Sequence, residues 1–138
     1  NVIKSTNAKI KEVLGDRACY HRIADEITIP LAEQFKDRES FYSTLLHELT
    51  HWTGAPKRLD RTKGKRFGDE NYAFEELVAE LGSAFLCAQL GITNEPRKDH
   101  AQYIKNWVSV LQNDKKAIFN AASLATKASD YILKGGVA

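Results

Sequence analysis

Methionine is missing from this chain altogether, and cysteine occurs only at Cys19 and Cys87. A polypeptide that begins at Asn1 and has no Met is expected to be part of a longer translated protein. Two unclustered cysteines are too few for a disulfide framework and read as free thiols of a reducing cytoplasm. No apolar run reaches about 18 residues, and no basic stretch leads into a short apolar one. A membrane span and an export signal are therefore not expected, and a soluble cytoplasmic protein is. A strong charge bias is also missing, since 20 Lys and Arg against 18 Asp and Glu leave a net charge of +2. With no internal repeat or low-complexity tract, residues 1–138 fit a single domain with a usable core.

What is present is His47-Glu48-Leu49-Thr50-His51, an HExxH set inside a helical pattern. Residues four apart share a helix face, so His47 and His51 can offer imidazole nitrogens to one ion with Glu48 beside it as general base. Such a donor set suits one Zn²⁺, another divalent transition metal being the alternative, with a coordination position left for water. At about 100° per residue, Phe41, Tyr42, Leu45, Leu46, Leu49 and Trp52 fall on one broad arc, while Thr44, His47, Glu48 and His51 lie opposite. The histidines are thus off the core face, where the competing assignment is ordinary surface histidine.

A third ligand is expected from the helical pattern between Asn71 and Gly91. Phe74, Leu77, Val78, Leu81, Ala84 and Phe85 make its apolar face, and Gly91 is a stop signal. Glu76 and Glu80 lie on another stripe with Ala79, Ser83 and Cys87, small residues that permit close approach of a second helix. Glu76 is read as the metal ligand, and Glu80, one turn on, as the acceptor for the distal ring nitrogen of a ligand histidine. Glu70 and Glu75 are read as a solvated acidic face near the helix start, Glu75 pointing about 100° away from Glu76.

The remaining organisation is a helix over residues 5–14, strand signals over 18–31 with Ile23, Asp25, Ile27 and Ile29 on one side, and an active-site helix from Asp37 to Thr53. Two further helices are expected over about 98–113 and 114–133, the last ending before Gly135-Gly136. The connector from Lys57 to Arg66 is strongly basic. It lacks the interleaved aromatic residues of a single-strand groove, so a solvated loop is favoured over a phosphate-binding one. Arg58 within it is a candidate to brace the acidic helix or to hold a substrate carbonyl. Tyr20 is a candidate to stabilise a tetrahedral oxyanion, although a half-buried strand aromatic is the plainer assignment. His21 and His100 read as surface residues.

The runs FYSTLLHELTHWTGAPKRLDR and FGDENYAFEELVAELGSAFLCAQLGI closely resemble the metallopeptidase domain of ArdC-type antirestriction proteins, found also in TraC-like primases and polyvalent phage and plasmid proteins. The resemblance extends over about residues 18–133. It implies an α+β fold of the zincin-like, gluzincin type, mostly helical with a small sheet before the active-site helix. It also implies a place as the C-terminal part of a larger antirestriction or plasmid-transfer protein. Glu76, Ala79 and Glu80 match the gluzincin ExxA pattern except that Glu80 replaces a shorter Asp or Asn, which leaves Glu80 open as an alternative third ligand. Relatives carry an N-terminal domain that binds single-stranded DNA, to which nothing here corresponds. The implied function is zinc-dependent peptide hydrolysis with Glu48 as base, the substrate being a protein or peptide such as a restriction-system component. The alternative is a non-catalytic, metal-stabilised binding module that protects DNA or engages a restriction enzyme.

Overall fold

The structure, a computed structural model, describes residues 1–61, 70–92, 112 and 115–136. Its sheet is built around the alternation in Glu26–Pro30 (β3), where Ile27 and Ile29 are fully buried. β3 is the middle strand of three. Lys9–Val13 (β1) pairs with it in parallel, Ile10 opposite Ile27, and Cys19–His21 (β2) pairs antiparallel on the other edge, Tyr20 opposite Ile27.

Two sequence expectations fail here. The helix expected over residues 5–14 is instead a short α1 (Val2–Ser5) followed by β1. The spacing of Ile10, Val13 and Leu14 suits a helix, but Val13 and Leu14 are exposed at 39% and 81%, so no helical face is buried. Pairing with β3 decides the conformation instead. Nor do Ile23 and Asp25 continue the β3 alternation. They belong to the turn between β2 and β3, Ile23 fully exposed and Asp25 in the left-handed region at φ 54°.

A short 3₁₀ turn, Ala32–Gln34, leads to α2 (Arg38–Thr53). The Asp37 carboxylate accepts from Ser40 N at 2.7 Å, capping the first turn. Both sides of α2 are covered. Phe41, Leu45, Leu46, Leu49 and Trp52 pack with Ile27 and Ile29 of the sheet and with Leu86, Cys87 and Ile132. The opposite side, with His47 and Glu48 at 1% and 5% exposure, is closed by α3 (Glu70–Leu90).

The two stripes of α3 serve two neighbours. Leu77 and Val78 pack on Ala121 and Ala125 of α4 (Ala117–Leu133). On the α2 side, Ser83 Oγ donates to Ser43 O at 2.9 Å, and a Cβ at Gly82 would stand 2.7 Å from Thr50 Cγ2. α3 stops at Gly91, φ 71°, with Ile92 N donating to Cys87 O at 2.8 Å. None of the described helices is long and apolar enough to cross a membrane. The helix expected over about 98–113, His100 and the basic connector beyond residue 61 lie outside the described residues.

Candidate metal centre

One turn of α2 sets the rings of His47 and His51 with centroids 4.9 Å apart, and α3 brings Glu76 against both. His47 Nε2 is 3.6 Å from Glu76 Oε1, and His51 Nε2 contacts Glu76 Oε2 directly. One donor atom from each of the three lies within 4.8 Å of the others. Metal bonds of about 2.0–2.1 Å to one shared ion would be within reach of these three donors after small side-chain shifts. Two imidazoles and a carboxylate suit a divalent transition metal.

The distal nitrogens point at a second ring of carboxylates. His47 Nδ1 is 2.6 Å from Glu80 Oε1, a close ionic contact in which the oxygen lies off the direction of the ring N–H. His51 Nδ1 is hydrogen-bonded to Glu75 Oε2 at 2.8 Å. Arg61, its side chain 5% exposed, holds Glu75 from behind with Nε 3.1 Å from Oε1 and Nη2 3.2 Å from Oε2. The same guanidinium reaches back to α2, donating to Thr53 Oγ1 at 2.9 Å and Thr50 O at 2.6 Å.

The charges are those of a cation site. Burial pushes Glu76 up, but the neighbouring His51 and His47 outweigh it and hold the carboxyl far below its usual range. Burial likewise disfavours protonated His47 and His51. At His47 the adjacent carboxylates Glu76 and Glu80 outweigh it, and at His51 the charges and hydrogen bonds of Glu76 and Glu75 do, so both rings stay protonated above the ordinary histidine value. Imidazole ligates as the neutral form, so a divalent ion held here would take the place of these protons.

Glu48 lies beside this cluster and is not among its three converging donors; its Oε1 accepts from the backbone N of Tyr20 at 3.1 Å. The side chains of Tyr20 and Arg58, expected as substrate or oxyanion contacts, meet each other instead. Tyr20 Oη donates to Asp25 Oδ1 at 2.8 Å and accepts from Arg58 Nη2 at 3.3 Å. Arg58 also pairs with both oxygens of Asp25, donates from Nε to Trp52 O at 2.7 Å, and lies 3.9 Å over the Trp52 ring. Among the described residues it is Arg61, not Arg58, that braces the acidic helix. Burial and the hydrogen bond to Asp25 push the Tyr20 phenol up to about 12. Burial opposes ionisation of Asp25, yet hydrogen bonds from Arg58, Lys57 and Tyr20 hold it well below the usual carboxylate range. His21, exposed, pairs through Nε2 with Thr28 Oγ1 at 2.9 Å.

Glu75, Arg61 and Asp25 are the residues that sequence reasoning misses. A histidine ring presents its two nitrogens in different directions, so adjacent carboxylates on α3 can serve the two ends of His51. The 100° between Glu75 and Glu76 is therefore no argument against Glu75. Arg61 is hidden in a basic run that resembles a solvated loop.

Residues 1–124 match a family described as zincin-like metallopeptidase. This chain belongs to that family. Within it, the zincin-like domain is 43% identical over 133 residues to the DNA primase TraC of Escherichia coli, a match covering 96% of this chain and 9% of the primase. A protein of Sinorhizobium fredii is 43% identical over 118 residues, 86% of this chain and 38% of that one. Among solved structures, the Mn(II)-bound antirestriction protein ArdC of plasmid R388 superposes with a TM-score of 0.87 at 39% identity, covering 99% of this chain and 51% of ArdC. Metal-free ArdC gives 0.86 at 40% identity, over 98% and 48%. The zincin-like domain thus spans about half of ArdC and a small part of TraC, and its α+β fold with a small sheet ahead of α2 is the fold read from the sequence.

Proposed function

We propose that this chain is a zinc-type, divalent-metal-dependent peptidase domain within a longer antirestriction or plasmid-transfer protein of the cytoplasm. The observation that carries this reading is the convergence of His47, His51 and Glu76 with Glu48 held beside them by Tyr20 N. His47 and His51 through Nε2 and Glu76 through its carboxylate would hold the ion, and Glu80 and Glu75 would fix the two rings from outside. A bound divalent ion supplies Lewis acidity, lowering the pKa of water at its open position and polarising a carbonyl. Glu48 would accept the proton of the attacking water and deliver it to the departing amine. Because Glu48 is not needed to complete the donor set, its presence favours catalysis over a purely structural site.

A second reading has an observation of its own: ArdC is named for antirestriction and TraC for priming, neither for proteolysis. In it the ion is structural, and the domain shields DNA or engages a restriction enzyme without cleaving it. The two separate on mass spectrometry of candidate restriction proteins incubated with the Zn²⁺-loaded wild type and Glu48→Gln. Fragments made by wild type alone are expected, the variant losing about 10²-fold or more while keeping its metal. Identical fragment patterns, or none from either protein, would turn the assignment to the binding module.

A further inference from the structure

Tyr20, Asp25 and Arg58 form, we propose, a clamp that holds the Glu48 carboxylate in one orientation, an inference that rests on Glu48 acting as the base. Among the described residues β2 is an edge strand, so alternate backbone N–H groups face β3 and the rest face away from it. The Tyr20 N–H belongs to the outward row and donates to Glu48 Oε1 at 3.1 Å. This bond orients the carboxylate only if β2 keeps a fixed position over α2. A three-residue strand has little pairing of its own to ensure that.

The Tyr20 side chain supplies what the strand lacks. Its hydroxyl is fixed by Asp25 and Arg58, and Arg58 is fixed to α2 through the Trp52 carbonyl and the Trp52 ring. Glu48 and Trp52 are four residues apart, one turn along the same helix. The contacts therefore close a circuit: from Glu48 to the Tyr20 amide, through the tyrosine ring to its hydroxyl, to Arg58, to Trp52, and down one turn of α2 to Glu48. Asp25 sits where the circuit needs a common acceptor, collecting Tyr20, Arg58 and Lys57. Its left-handed backbone, uncommon outside glycine, is the conformation that turns its carboxylate to those donors. The Arg58 side chain is only 7% exposed, which favours these bonds over competition from water. One oxygen of Glu48 is thereby held by a neutral donor, which fixes the direction in which the other points. Tyr20, Asp25 and Arg58 are positioning residues, reaching the chemistry only through Glu48.

The test is ¹⁵N NMR on the whole 138-residue chain, with and without Zn²⁺, reading the Tyr20 amide. In Glu48→Ala, with the clamp untouched, the Tyr20 amide should move upfield and exchange with solvent about tenfold faster, the scale of one hydrogen bond. Tyr20→Phe, which keeps the ring, and Asp25→Asn should do the same to that amide while the Ile27 amide in β3 stays protected. In a hydrolysis assay both should lower kcat about tenfold with KM unchanged. An unaltered Tyr20 amide in Glu48→Ala would overturn the proposal, as would one that responds to Glu48→Ala but not to Tyr20→Phe or Asp25→Asn. Absence of hydrolysis by the wild type would count against the peptidase reading alone, because the amide signal judges the clamp without any substrate.

Discussion

His51 is held at both ends, by Glu76 on the metal side and by Glu75 on the other, and Glu75 is held in turn by Arg61. An outer partner that fixes ring orientation typically matters about 10- to 100-fold in metal affinity. Arg61→Ala and Glu75→Gln should each weaken Zn²⁺ by that factor in competition with a chelating dye, while Arg58→Ala, on the other network, should leave it unchanged. Asp25 makes a prediction in pH. Its folded carboxyl titrates below the unfolded value of about 3.9, so its stabilising effect is complete above about pH 4 and is lost as pH falls through the folded value. Asp25→Asn should therefore lower the urea midpoint at neutral pH and flatten its decline in acid; equal acid limbs for both proteins would contradict this. The pair His47 and His51 is legible because a four-residue spacing on a helix suffices to bring two rings together. Asp25 is not, because its role depends on a turn that places it beside Arg58, which is 33 positions away.

α2 and α3 must cross closely for carboxylates on one to reach imidazoles on the other, and Gly82 against Thr50 is one point of close approach. Alanine at position 82 gains about 1 kcal/mol of helix propensity but places Cβ 2.7 Å from Thr50 Cγ2 and 2.8 Å from Thr50 Oγ1. Thr50 cannot easily yield, since its hydroxyl is bonded to Leu46 O at 2.9 Å and the residue is fully buried. Overpacking of this kind costs about 1–3 kcal/mol, so Gly82→Ala should be net destabilising by about 1 kcal/mol and should loosen metal binding by spreading the helices. Thr50→Ala in the same chain removes the two closest opposing atoms, Cγ2 and Oγ1, and should largely restore both; a strictly additive double-mutant cycle would show that the contact is not the cause. The stripe of Ala79, Ser83 and Cys87 makes this approach legible in outline. The caps of α2 and α3 are legible in detail, because Asp37 and Gly91 act within one turn of chain. β1 is illegible for the opposite reason: its strand conformation is decided by β3, whose partner residues lie 17 positions on, and little of its own surface is buried.

At the scale of the whole molecule, the HExxH helix and the acidic helix together imply the zincin-like fold, but how strongly the rest of the chain depends on an ion does not follow from the motif. Leu86, Cys87 and the Ser83 contact hold α3 to α2 independently of the site, so the metal-free chain is expected to be folded. An ion that binds the native state alone then adds stability by mass action, about 2.7 kcal/mol at a hundredfold excess over its Kd. For a domain of this size that is a rise in Tm on the order of 10 °C. Because the bound form exchanges protons for metal, the rise should be larger at pH 7.5 than at pH 5.5, where the protonated pairing of His47 and His51 with their carboxylates competes. Calorimetry over a Zn²⁺ series should show Tm climbing with the logarithm of free metal in wild type and in Glu48→Gln, and a flat response in His51→Ala. A Tm that ignores metal while mass spectrometry finds one ion bound would mean that the unfolded chain holds it equally well. A rise that persists in His51→Ala would place the ion elsewhere.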